Sequence, residues 1–354
     1  MRTFVLSVAG LLTLAALAGA DTPEPHGDPA ILGSGARLEL LFTRPPSNTG
    51  GLTEGPAVAP DGSIYFSDIP EGVENPGRIM RFDPKTKKTT VFAADSHKSN
   101  GLKFDAHGYL IACEGSDRGG RCLSRWDVHT KQREVLVDRY MGKRFNSPND
   151  LAIDLKGRIY FTDPRYLGPE PRELKRQAVY RFDPRDGHLV EVTHEPEKPN
   201  GILLSPDQKT LYVIDHNNGT DRIDPNAPEP KKGAMKVHAY PLGDDGLISG
   251  PGRTLIDFGS ENGADGMAAD AKGNVYLAVR SLKRPGILVL GPSGKELAYV
   301  PTAGPQPGAK KPVGIPSNCC FGLGDELSTL YVTVDTSLYR IRLKADGFHI
   351  PFTK

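Results

Sequence analysis

Runs of β-branched and aromatic residues recur along the chain, each opened by a turn rich in Asp and Gly. The clearest are Ser63-Ile64-Tyr65-Phe66-Ser67-Asp68, Arg158-Ile159-Tyr160-Phe161-Thr162-Asp163 and Thr210-Leu211-Tyr212-Val213-Ile214-Asp215. Tyr109 to Cys113, Asn274 to Ala278 and Thr329 to Thr333 repeat the form. Such runs are strands. In most copies another follows, as in Arg78-Ile79-Met80-Arg81-Phe82 and Val179-Tyr180-Arg181-Phe182, ending on an Asp-Pro turn. Thr89-Thr90-Val91-Phe92 supplies a fourth. After the first twenty residues no stretch of helical period has useful length.

A polar residue precedes each turn at a fixed offset. Glu54, Asn100, Asn149, Asn200, Asp265 and Asn318 stand five or seven residues before Asp61, Asp105, Asp154, Asp207, Asp270 and Asp325. The two offsets differ by two, and a strand repeats its facing every two residues, so all six can point the same way. Their separations are 46, 49, 51, 65 and 53 residues. Periods near fifty with four strands each predict an all-β fold, a six-bladed β-propeller of four-stranded antiparallel blades around a central channel. The long interval contains a surface loop, roughly Asn217 to Gly233. The last blade has about three strands of its own, and Leu38 to Thr43 is expected to add the fourth and close the ring.

Residues 1–20 read as a secretory signal peptide, with Arg2, an apolar core from Phe4 to Leu17, and Ala18-Gly19-Ala20 as the cleavage site. This predicts a periplasmic or secreted protein. Residues 21–36 read as a flexible leader and 37–354 as one propeller domain. With a formal net charge of +1, nucleic acid has no electrostatic support as a partner, and no membrane contact is expected after signal cleavage. Oligomeric state is left open. Cys113 and Cys122 flank a Gly-rich loop, where a disulfide or two buried thiols fit equally; Cys319 and Cys320 are expected to pack as small hydrophobes.

Any single Asn-Gly or Asp-Gly pair is an ordinary turn signal. Six in register, one of them built on Glu54, imply a ring of oxygen groups at one mouth of the channel. Glu54 and Asp265 with the amide oxygens of Asn149 and Asn200 form an all-oxygen, doubly negative set suited to Ca²⁺ more than Mg²⁺. Zinc would call for His or Cys, and the nine histidines show no ligand spacing. No Gly-x-Ser-x-Gly elbow or phosphate-binding loop is present. Arg165 and Tyr166, just past a strand end, are placed to line the pocket.

Lys143-Arg144-Phe145-Asn146-Ser147-Pro148-Asn149-Asp150-Leu151, followed by Tyr160-Phe161-Thr162-Asp163-Pro164, resembles the signature stretch of bacterial gluconolactonases. These belong to the family of senescence marker protein, gluconolactonase and luciferin-regenerating enzyme. Glu54-Gly55-Pro56, Asn200-Gly201, Ala264-Asp265-Gly266-Met267 and Asn318-Cys319-Cys320-Phe321-Gly322 resemble its other blade starts, so the resemblance runs from about Glu54 to Thr333. It implies a six-bladed propeller that hydrolyses sugar lactones with one divalent cation, usually calcium, on the residues matching Glu54, Asn149, Asn200 and Asp265. It further implies Asp265 as ligand and catalytic base, and Asn100 and Asn149 as substrate contacts; Tyr166, from its place just past a strand end, is expected as a third. Animal members carry Arg where this chain has Ser147, so their sugar preference does not transfer.

A lactone needs only a polarised carbonyl and a delivered water, roles for a Lewis-acidic cation and Asp265. Two rivals predict other features. An organophosphate-hydrolysing propeller would show a wide apolar pocket. A non-catalytic binding propeller with a structural calcium would pair Glu54 and Asp265 with basic residues.

Overall fold

The computed structural model describes residues 22–45, 50–72, 74–221 and 231–353. The signal peptide expected at 1–20 and part of the predicted surface loop, 222–230, lie outside the described residues.

Six four-stranded antiparallel units form a ring, as the repeat predicts. Their inner strands are Leu52–Val58, Ser99–Phe104, Leu151–Ile153, Pro199–Leu204, Ala264–Ala269 and Pro316–Phe321, and these define blades I to VI. Six apolar clusters hold the ring, one at each blade-to-blade interface. Tyr65 and Ile79 of blade I meet Leu102 and Trp126 of blade II, while Phe66 and Phe82 face the other way, against Tyr331 and Leu338 of blade VI. Both faces of each second strand are therefore buried. This is why those strands read as continuous apolar runs instead of alternating ones.

Closure follows the expected route. Glu39–Thr43 pairs antiparallel with Ser337–Arg342 and becomes the outer strand of blade VI. The leader differs from the flexible segment expected. His26–Gly27 pairs with Tyr299 and Ala298 as a fifth strand on blade V, and Ile31 and Leu32 are buried in the cluster between blades V and VI. Two adjacent apolar residues among Gly and Pro carry no period, so composition alone pointed to mobility. A Cβ on Gly27 would collide with Ala298.

Past Arg342 the chain turns under the ring and crosses the channel. Gly347 bridges Asp270, the Phe348 N–H donates to the Ala269 carbonyl at 3.1 Å, and the Thr353 N–H donates to the Ala106 carbonyl at 2.7 Å. This tail closes the far end over a cavity of ≈110 Å³ lined by Ala57, Ala152, Leu203, Ala268, Cys320 and Phe348, among others. All four cysteines are buried and free. Cys122 donates to Glu114 at 3.2 Å, and burial pushes its thiol and that of Cys113 up.

Candidate active site

All six ring residues lie at the same end of the inner strands, opposite the tail. Four are followed by Gly, and the structure gives a reason beyond turn formation. Gly55 has φ +49 and lies against the backbone of Asn100 and Gly101; a Cβ on Gly266 would run into the Asn318 side chain. Neighbouring inner strands are closest here, so the residue after each ring position must be small or must itself be part of the contact.

Glu54 is buried. Its Oε2 accepts the Gly55 N–H at 2.8 Å and Asn318 Nδ2 at 3.3 Å. The same Asn318 nitrogen donates to Asp150 Oδ2 at 3.3 Å, tying blades I, III and VI across the axis. Asn200 Nδ2 donates to the Tyr166 hydroxyl at 3.0 Å, and that hydroxyl donates to the His216 carbonyl at 3.0 Å. Tyr166 thereby fixes the Asn200 amide, and no described residue donates to its oxygen. Asp265 Oδ2 accepts from Arg280 at 2.7 Å. Among the described residues nothing donates to Asp265 Oδ1, Glu54 Oε1 or the Asn149 and Asn100 amide oxygens.

The electrostatics are strained. Burial, then the charges of Asp265 and Asp150, push the Glu54 carboxyl well above the usual carboxylate range; the Gly55 N–H and Arg280 oppose this. Burial raises Asp150 as well, against the pull of Lys103. Burial and Asp265 raise the Tyr166 phenol. Burial lowers His216, whose Nδ1–H donates to the Ala264 carbonyl at 2.8 Å. Like charges converging where water is scarce favour uptake of a proton or a cation.

The sequence reading placed Glu54, Asn100, Asn149, Asn200 and Asp265 at one mouth, and there they are. Arg165 is not in the pocket: it is fully buried under its loop and donates to the Asn146 carbonyl at 2.8 Å. Asp150, Arg280 and His216 were missed. Asp150 stands where four blades have Gly, and blade V ends its second strand on Val279-Arg280 where the other blades carry an acid. Both breaks are visible in the sequence once the repeat is aligned. Among the described residues no three His, Cys, Asp or Glu side chains form a metal cluster. A cation here needs the amide oxygens.

Known proteins share this architecture and sequence. The chain is 31% identical over 316 residues to a gluconolactonase of Zymomonas mobilis, spanning 83% of this chain and 79% of that one. It is 29% identical to a lactonohydrolase of Aspergillus oryzae, over 77% of this chain and 65% of the other. A solved gluconolactonase from Xanthomonas campestris superposes with TM-score 0.71 at 28% identity, covering 91% of this chain and 95% of that one. A calcium-binding regucalcin from Agrobacterium tumefaciens, 16% identical with TM-score 0.64 over 89% of this chain and 96% of its own, shares the fold. Residues 52–336 match the SMP-30/Gluconolactonase/LRE-like region, and the chain belongs to that family.

Proposed function

We propose that this protein is an exported hydrolase that opens sugar lactones, using a calcium ion held by Glu54, Asn149, Asn200 and Asp265. The names of its relatives support the reaction class. The observation that carries the metal is the buried Glu54 carboxyl facing Asp265 and Asp150. The donor set fits a hard cation: two carboxylates and two amides, with a free oxygen on Asp265 and undonated amide oxygens on Asn149 and Asn200. Bound there, calcium would polarise the lactone carbonyl.

The chain's own groups do the rest. Asp265 Oδ1, which has a lone pair beyond the one a cation would use, takes a proton from the attacking water as the water oxygen bonds to the carbonyl carbon. The ring C–O bond then breaks, and the ring oxygen leaves as the hydroxyl of the product acid with the proton that Asp265 returns to it. Asn100 and Asn149 face the sugar hydroxyls. The buried thiols, held protonated, are protected from oxidation in the compartment that residues 1–20 select.

The Asp265–Arg280 pair is what the binding-scaffold reading predicts, but Glu54 has no basic hydrogen-bond partner among the described residues. The polar mouth disfavours an organophosphate site. The test is turnover of gluconolactone and paraoxon by the mature protein, with and without chelator, alongside elemental analysis. Lactone turnover lost on chelation and restored by Ca²⁺ supports the reading. Turnover of paraoxon alone, or of neither, sinks it.

A further inference from the structure

The end of the second strand follows a rule that one blade breaks. In five blades an acid stands at or within one residue of that end: Asp68, Glu114, Asp163, Asp215 and Asp335. Three of these pin the chain entering the inner strand by accepting paired backbone N–H groups: Asp163 from Asn146 and Ser147, Asp215 from Glu197 and Lys198, and Asp335 from Gly314 and Ile315. Asp68 is bound by Arg44 and Arg78, and Glu114 by Arg133. All five are structural.

In blade V Val279 takes the register position, paired with Ala264 as Glu114 is with Ser99 and Asp215 with Pro199. The charged residue comes one later at Arg280, as Asp335 follows Val334 in blade VI. The entering chain there is held by the Arg280 N–H, which donates to the Gly263 carbonyl at 2.9 Å, and by Glu261, which accepts from Ser281 Oγ at 3.0 Å and pairs with Lys283 at 2.7 Å. The side chain does not perform the task that Asp335 performs in blade VI. It turns to Asp265 Oδ2 at 2.7 Å, with a long second contact to the Pro316 carbonyl at 3.5 Å. It is also among the charges acting on Glu54, Tyr166 and His216. It is 28% exposed, with Asp265 at 13%.

Resting on the lactonase reading, we propose that Arg280 is a positioning residue for Asp265. It clamps Oδ2 so that Oδ1 alone faces the channel, and it lowers the site's affinity for the divalent cation through its own positive charge. The two effects pull in opposite directions, and this separates the proposal from a merely structural role. Loss of the guanidinium leaves the Asp265 carboxylate free to rotate, so the proton acceptor is misplaced and kcat falls. It also removes a positive charge close to the cation, so the cation binds more tightly.

The experiment uses full-length mature protein with Arg280→Gln and Arg280→Lys. Calcium affinity is measured by calorimetry on metal-stripped protein, kcat and KM on the lactone the wild type cleaves, and folding by circular dichroism melts. Arg280→Gln is expected to bind calcium about tenfold more tightly, a shift of about 1.4 kcal/mol, with kcat down about tenfold and KM changed less than threefold. Arg280→Lys keeps the charge without the planar fork. It should hold wild-type calcium affinity and recover part of kcat. Weaker calcium binding in Arg280→Gln, or unchanged kcat in a folded protein, overturns the proposal. Absence of lactone turnover in the wild type overturns the functional reading instead, and the calcium measurements on the two variants still decide the role of Arg280.

Discussion

At one mouth of the channel the inner strands present Glu54, Asn149, Asn200 and Asp265; three residues further along the same strands they present Ala57, Ala152, Leu203 and Ala268. The polar mouth is left with buried like charges and undonated oxygens. The apolar mouth is covered by the tail, where Phe352 packs against the cluster between blades I and II and Ile350 against that between blades II and III. His349 donates from Nε2 to the Gly322 carbonyl at 2.8 Å. A ring of blades offers two equivalent openings, and this chain spends its packing on one of them. The stability gained at the far end can tolerate the strain kept at the near one.

The comparison breaks most visibly if the tail is removed. Deleting residues 344–354 strips the cover from the apolar end and unties blades V and VI from blade II. A loss of several kcal/mol is expected, by analogy with Phe truncation at about 3–5 kcal/mol, with a fall in Tm on the order of 10 °C. Thermal melts of the truncated protein test this; a Tm within a degree or two of wild type would show that the far end does not carry the stability assigned to it.

The near end should reveal its strain through pH. Burial raises Asp163 to about 7 and Asp215 to about 6. A carboxyl whose pKa is higher folded than unfolded favours the folded state below the unfolded value, near 4, and that advantage disappears as pH rises through the folded value. The buried His216 and His349 act in the opposite sense, so the clean readout is a difference. The stability of wild type minus that of Asp163→Asn should shrink by a few kcal/mol at most between pH 4 and 7, measured by denaturant unfolding of metal-stripped protein. A difference that grows over that window contradicts the assignment.

These elements were not equally legible in the sequence. The blades and the closing strand Glu39–Thr43 were, because both faces of the second strands are buried and the Tyr-centred runs repeat at nearly constant spacing. The ring residues were legible for the same reason. The tail was not: Phe348, Ile350 and Phe352 contact separate blades, and a segment that crosses the repeat carries none of its period. Ile31 and Leu32 were misread because their partners lie about 300 residues away. Asp150 and Arg280 were overlooked because they are departures from the repeat, and a search for likeness passes over them.

Asp265→Asn acts on the chemistry at the near end alone. The amide has one oxygen to divide between Arg280 and the channel, cannot accept the proton, and loses the ion pair with Arg280. Activity should fall about 10²-fold, or about 2.7 kcal/mol in barrier, with the melt little changed and calcium still bound more weakly. Near-wild-type kcat with metal bound would reduce Asp265 to a ligand. Deleting residues 22–33 acts on neither mouth. It unpacks Ile31 and Leu32 and should lower stability by about 2 kcal/mol, within the range for burying an aliphatic side chain, without altering kcat. An unchanged denaturation midpoint would restore the flexible-leader reading.

Asn100→Ala is the smallest and most selective change. Asn100 is half-buried between Glu54 and Asn149 around the ring, and its backbone carbonyl is taken by Ser67 Oγ at 2.8 Å. No described residue bonds its side chain, and it is outside the proposed ligand set. Truncation therefore leaves packing and metal intact and removes one neutral hydrogen-bonding group from the mouth, a contribution of about 1 kcal/mol. Since a sugar hydroxyl bonded there is bound equally in substrate and transition state, KM should rise about fivefold with kcat within a factor of two. Titration with a lactone panel sharpens this further, because the penalty should vanish for lactones lacking the hydroxyl that Asn100 meets. A tenfold loss in kcat at constant KM would place Asn100 in the chemistry beside Asp265, and the division of the near mouth into a metal side and a substrate side would have to be redrawn.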